Sequence, residues 1–140
     1  MLISRDSDVP IWEENALKLS NSLDTMSGYE PVVTDLTDFT TFEWDMLYSF
    51  QPYFPKEEIY EVVGYKWAEI SETVSEGMNQ VIFLKDGEVI CYLYGYPDRY
   101  KLYFDFGYHR EGYVFLNYED ETKFIITVKD EIKYFKWIEE

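Results

Sequence analysis

The chain has 140 residues, 46% hydrophobic and 20% aromatic, which is enough apolar surface for one packed domain and too much for wholesale disorder. Its 28 acidic residues against 12 basic ones leave a formal net charge of -16, a balance that repels nucleic acid and anionic membrane and favours encounter with a basic protein. A single cysteine, Cys91, excludes an internal disulfide and a cysteine-rich zinc site.

From the N-terminus, Asp8 before Pro10 predicts a helix start, with Trp12, Ala16, Leu19 and Leu23 on one face and Gly28 as the stop. The start MLISRDSDVP has no apolar h-region, and no segment approaches the ~18 apolar residues of a membrane span. As the chain stands this predicts a cytoplasmic protein, or an extracytoplasmic one if an export signal has been removed. Val32 and Val33 suggest a short strand. From Phe42 the period changes to two: Phe42, Trp44, Met46, Tyr48 and Phe50 alternate with Glu43, Asp45, Leu47, Ser49 and Gln51, predicting a half-buried strand with one apolar face. Pro52 and Pro55 end it. Lys56 to Val63 then reads as a short helix, with Glu57 and Glu58 in the first turn, Ile59, Val62 and Val63 facing the core and Gly64 as cap. Trp67 to Val74 reads as a second short helical stretch.

The second half reads as a run of strands. QVIFLK and EVICYLYGY flank Asp86-Gly87, the signature of a two-residue type I′ hairpin. Strands at Tyr100–Phe106, Tyr113–Tyr118, Lys123–Lys129 and Lys133–Ile138 follow, and their short loops predict antiparallel neighbours. The expectation is an α+β fold: a mostly antiparallel sheet of five to seven strands with one N-terminal helix and one short helix packed on one face. No repeat or linker divides it, so residues 1–140 read as a single acidic domain.

The residue types that carry chemistry are scarce. His109 is the sole histidine, in a glycine-flanked loop that reads as an exposed turn, and Cys91 lies in a strand that reads as buried. There is no HExxH, CxxC, GxGxxG or GxxxxGK[ST], and Glu119-Asp120-Glu121 does not match a calcium loop. Carboxylates and aromatics could compose a glycosidase cleft, but nothing in the sequence sets the required separation. The reading assigns no catalytic residue, no metal and no cofactor. For recognition, the segment Asp35 to Tyr53 stands out: Asp35, Asp38, Glu43, Asp45 and Tyr53 are candidate partner-binding residues, with Trp44 and Tyr48 as aromatic anchors or, more plainly, as core.

The run Asp38-Phe39-Thr40-Thr41-Phe42-Glu43-Trp44-Asp45, then Tyr48, Pro52-Tyr53, Glu57-Glu58-Ile59 and Gly64, followed by a hydrophobic strand ending in Lys85-Asp86-Gly87, resembles a group of small proteins from Bacillus-like bacteria, many of them exported lipoproteins. The similarity covers residues 37–96 and implies a shared fold, and with it an extracytoplasmic accessory role. This chain departs from the group in lacking a lipobox cysteine near its start and in its longer aromatic C-terminal half.

Three functions stay open on these grounds. The first is an inhibitor or immunity-type protein covering a basic surface of a toxin or nucleic-acid enzyme, without direct nucleic-acid contact or membrane insertion. The second is a nucleic-acid mimic directed at defence enzymes, against which the interspersed basic residues count. The third is the extracytoplasmic accessory role. Oligomeric state is not legible from the sequence.

Overall fold

The computed structural model describes residues 9–22, 31–120 and 122–138, and within them it is an α+β fold of two helices and eight strands. The helices are α1 (Ile11–Ser22) and α2 (Lys56–Val63). The strands are β1 (Val32–Asp35), β2 (Met46–Phe50), β3 (Asn79–Lys85), β4 (Glu88–Gly95), β5 (Leu102–Asp105), β6 (Tyr113–Asn117), β7 (Lys123–Lys129) and β8 (Ile132–Trp137). In both helices a proline precedes the first helical residue instead of occupying the first turn. The Pro10 carbonyl accepts from Glu14 N, and Pro55 caps α2 in an extended conformation. The helix signals Asp8, Leu23 and Gly28 lie outside the described residues.

The expected single sheet of five to seven strands is in fact two four-stranded sheets, ordered β1-β7-β8-β5 and β4-β3-β2-β6. Short loops do mark hairpins at β3–β4 and β7–β8. Both turn through paired positive φ angles, 53° and 84° at Asp86-Gly87 and 54° and 69° at Asp130-Glu131, the type I′ geometry. The same inference fails for β5, β6 and β7, where chain neighbours belong to different sheets. β5 pairs in parallel with β8, and β6 pairs with β2.

The inner faces of the two sheets share one core. Phe83, Leu47 and Leu116 of the second sheet meet Phe104, Phe124 and Phe135 of the first, and α1 adds Ala16 and Leu19. The outer face of the second sheet is also covered: Ile82, Leu84 and Tyr92 pack with Ile59 and Val63 of α2 in a separate cluster. β2 is therefore sandwiched, with Leu47 and Ser49 buried on one face and Phe50 on the other. This corrects the expectation of a one-faced strand from Phe42. The strand begins at Met46, and Phe42 and Trp44 approach the core from the preceding loop.

No helix forms from Trp67 to Val74. Tertiary bonds satisfy that backbone instead: Ser71 N donates to the Tyr92 hydroxyl at 3.1 Å, and Tyr94 donates to the Glu72 carbonyl at 2.6 Å.

Two buried asparagines manage strand edges. At the bulge in β4, Asn15 Nδ2 of α1 donates to the Ile90 carbonyl at 2.7 Å. Asn79, at the start of β3, donates to Leu102 O at 2.9 Å and accepts from Phe104 N at 3.0 Å. Its side-chain amide thus stands in for a neighbouring strand along β5. Among the described residues no helix is long and apolar enough to cross a membrane.

Candidate functional site

The turn into β2 and the turn after β6 come together at one end of the second sheet, because Tyr118 N donates to Asp45 O at 3.0 Å. Two adjoining hollows of about 490 Å³ each open there, sharing Trp44, Lys85 and Tyr118. Glu43 lines one; Asp45, Asn117, Glu119 and Asp120 line the other.

Trp44 is the floor of this site and is not a free anchor. It is buried, its indole N–H donates to Thr40 Oγ1 at 3.0 Å, and its ring meets Phe83 edge-on with centroids 5.3 Å apart. The plainer reading of Trp44, as core, therefore holds. Tyr118 packs edge-on against it at 5.1 Å and is 44% exposed, so the tyrosine presents the aromatic surface. Tyr48 is half-buried on the opposite face of β2, in the second cluster.

The acids differ in what holds them. Asp45 Oδ2 accepts from Asp86 N at 2.9 Å and so latches the β3–β4 turn to β2. Asp120 Oδ2 accepts from both the backbone and the side-chain nitrogen of Asn117, at 3.0 and 3.1 Å, and closes its own turn. Glu43 stands 3.8 Å from Lys85 Nζ with its side chain 89% exposed, a solvated pair worth about 0–1 kcal/mol. Glu43 and Glu119 are the acids free to meet a partner without disturbing a turn.

Of the five residues selected from the sequence, Glu43 and Asp45 share this site. Asp35 serves the fold. It caps the short 3-10 turn after β1 through Thr37 N and Thr37 Oγ1, at 3.2 and 2.9 Å, and accepts from Thr122 Oγ1 across to the start of β7. Burial pushes its carboxyl up, but the hydrogen bonds from Thr122 and Thr37 and the charge of Lys123 outweigh this and hold it below the usual 3.8. Asp38 is exposed in the 3-10 turn and lines neither hollow. Tyr53 is exposed beyond the far end of β2, pinned with a φ of 68° by a hydrogen bond from its own N–H to Thr73 Oγ1. The residues that sequence reasoning left out are Tyr118, Glu119, Asp120 and Lys85. The acidic run at 119–121 was visible as a turn, but only the pairing of β2 with β6 places it beside Glu43 and Asp45.

His109 is not the exposed turn residue expected. It is half-buried, with Nε2 3.1 Å from the Oγ of buried Ser49 on β2; the tautomer decides which of the two donates. Burial pushes its pKa below 6.5, partly offset by a backbone hydrogen bond to Gly107 and the charge of Asp105. A serine beside a histidine is one pattern of an activated nucleophile, but neither residue lines any of the hollows described here. The contact instead ties the 107–112 segment to β2. Cys91 is fully buried, and burial pushes its thiol well up, as its strand position suggested.

A pH dependence follows from His109. Its folded pKa lies below its unfolded value, so the stability it contributes is complete above about 6.5 and is lost as pH falls through the folded value. The stability difference between the parent chain and His109→Gln should therefore narrow on acidification below pH ~6.5 in urea melts. A difference that stays flat down to pH ~5 would show that the imidazole is not kept neutral by burial.

Comparison with family models, curated proteins and solved structures finds no match to this chain.

Proposed function

We propose that this chain acts by contact and not by chemistry, as an inhibitor or immunity-type protein that covers a basic surface of a toxin or nucleic-acid enzyme. The observation that carries this reading is the convergence of Glu43, Asp45, Glu119 and Asp120, from two segments far apart in the chain, around the half-exposed Tyr118. Among the residues lining the two hollows, Lys85 is the single cation. Acids rimming an exposed aromatic suit a protein partner: charge speeds encounter, and the desolvated ring slows release. A nucleic-acid mimic would need an unbroken acidic track, and here Lys85, Thr40 and Thr41 interrupt it.

The test uses Glu43→Lys with Glu119→Lys, which reverses the two acids that hold no turn. In affinity capture from extract of the source organism, the parent chain should retain a basic protein. The double variant should bind that protein about tenfold or more weakly. Raising ionic strength to about 1 M, where the screening length is about 3 Å, should release it from the parent chain. A partner held equally by parent and variant in both salts would sink this reading.

A further inference from the structure

β6 is an edge strand: β2 flanks one side, and no described strand flanks the other. Its hydrogen-bonding alternation is settled at both ends. Gly112 O accepts from Gln51 N at 2.9 Å and Tyr118 N donates to Asp45 O at 3.0 Å, so residues 112, 114, 116 and 118 face β2. Tyr113, Phe115 and Asn117 point their backbone groups the other way. Asn117 is already closed off, since Asp120 N donates to its carbonyl at 2.9 Å and its own N–H donates to Asp120 Oδ2 at 3.0 Å. The N–H and C=O of Tyr113 and of Phe115 bond to no described residue, leaving a short open ladder of four groups.

Beside that ladder lies a groove of about 360 Å³, lined by Tyr48, Tyr113 and Phe115 from the sheet and by Glu61 and Val62 from α2. Phe115 is 51% exposed there. An edge strand next to a groove roofed by a helix offers what strand addition requires. The backbone supplies register, and the groove receives alternate side chains of the incoming segment.

We propose that an extended segment of a basic partner protein adds to β6 as a fifth strand, hydrogen-bonded to Tyr113 and Phe115, with an apolar side chain against Phe115 and Val62 and a lysine or arginine at Glu61. Charge selects this occupant. A second copy would bring together two chains of net charge -16 and set Glu61, Glu119 and Asp120 near the same acids of the other copy, whereas a basic segment meets Glu61 in the groove and Glu119 and Asp120 beyond the end of β6. The choice of a basic segment rests on the function proposed above; the open ladder does not.

The test is amide hydrogen exchange by NMR on the isotope-labelled full chain. The probe is the blocked peptide acetyl-Lys-Thr-Val-Thr-Lys-Thr-amide. Controls carry glutamate in place of lysine, or proline in place of valine. With the lysine peptide near saturation, the Tyr113 and Phe115 amides should exchange about tenfold more slowly. The proline peptide should leave them unchanged. Phe115→Pro removes one outward N–H at an edge position where proline is tolerated, and should weaken the lysine peptide about tenfold or more.

Three results would overturn the proposal. One is no slowing of these two amides up to ~10 mM peptide. If shifts then gather at Glu43 and Glu119 alone, the acidic contact surface stands and the strand addition falls. Another is equal protection by the glutamate peptide, which would defeat the basic partner while leaving the edge open to pairing. The third is protection that grows with protein concentration and no peptide, which would make the occupant a second copy.

Discussion

Asn79→Leu is expected to lower the unfolding free energy by about 2–5 kcal/mol. Asn79 is buried and its amide joins two elements of different sheets, donating to Leu102 O at 2.9 Å and accepting from Phe104 N at 3.0 Å. Leucine fills a similar volume but leaves a buried carbonyl and a buried N–H without partners, each at a cost of about 1–3 kcal/mol. Asn79→Asp separates the hydrogen bonds from the volume. A carboxylate still accepts from Phe104 N but opposes the Leu102 carbonyl, and its burial raises the folded pKa. The protonated acid can donate to Leu102, so the deficit of this variant against the parent should be small below the unfolded pKa of about 3.9 and grow as pH rises through the folded value. Urea unfolding with an unchanged m-value is the measurement. A loss under about 1 kcal/mol for the leucine variant would mean that β5 does not depend on this amide.

Asn79 also shows where sequence reasoning stops. Local signals survived well. Lys56–Val63 is a helix capped at Gly64, Asp86-Gly87 is a hairpin turn, and Lys123–Lys129 is a strand with the predicted bounds. Each depends on neighbours in the chain, on proline and glycine placement and on period. Sheet membership does not. β5, β6 and β7 follow one another through short connections, yet alternate between sheets, and nothing in a period-two pattern says which strand lies beside which. The same blindness affected the site. Glu43 and Asp45 were legible as acids beside aromatics, but Tyr118, Glu119 and Asp120 join them only through the pairing of β2 with β6. Trp44 was ambiguous for a related reason: period two put it on a strand, whereas its ring enters the core from a loop held by the Thr40 hydroxyl. His109 looked exposed because glycines flank it. One long-range contact, with Ser49, decides otherwise.

Gly112→Ala carries the second large effect, about 2–5 kcal/mol of lost stability, and two causes can be separated experimentally. The first is backbone: Gly112 has a φ of 96°, where a side chain costs roughly 1–2 kcal/mol. The second is space. A methyl group there would clash with Phe54 Cε1 and sit 2.9 Å from Cδ1, and Phe54 is buried against Phe50, with ring centroids 5.2 Å apart, so its ring has little room to yield. Overpacking of this kind costs about 1–3 kcal/mol. Gly64→Ala provides the backbone cost alone, since φ there is 108° and, its two chain neighbours apart, no described residue comes within 4 Å of the added carbon. Placing Gly112→Ala in a Phe54→Ala background removes the clash. In that background its cost should fall to about that of Gly64→Ala, a coupling of about 1–3 kcal/mol in a double-mutant cycle. Gly112 also accepts from Gln51 and donates to the His109 carbonyl. The displaced backbone would thus loosen the Ser49–His109 contact on one side and Tyr113, the first rung of the open edge, on the other. Full additivity of Phe54→Ala and Gly112→Ala would show that the methyl group finds room without moving the ring, and the predicted link from this glycine to the β6 edge would fail with it.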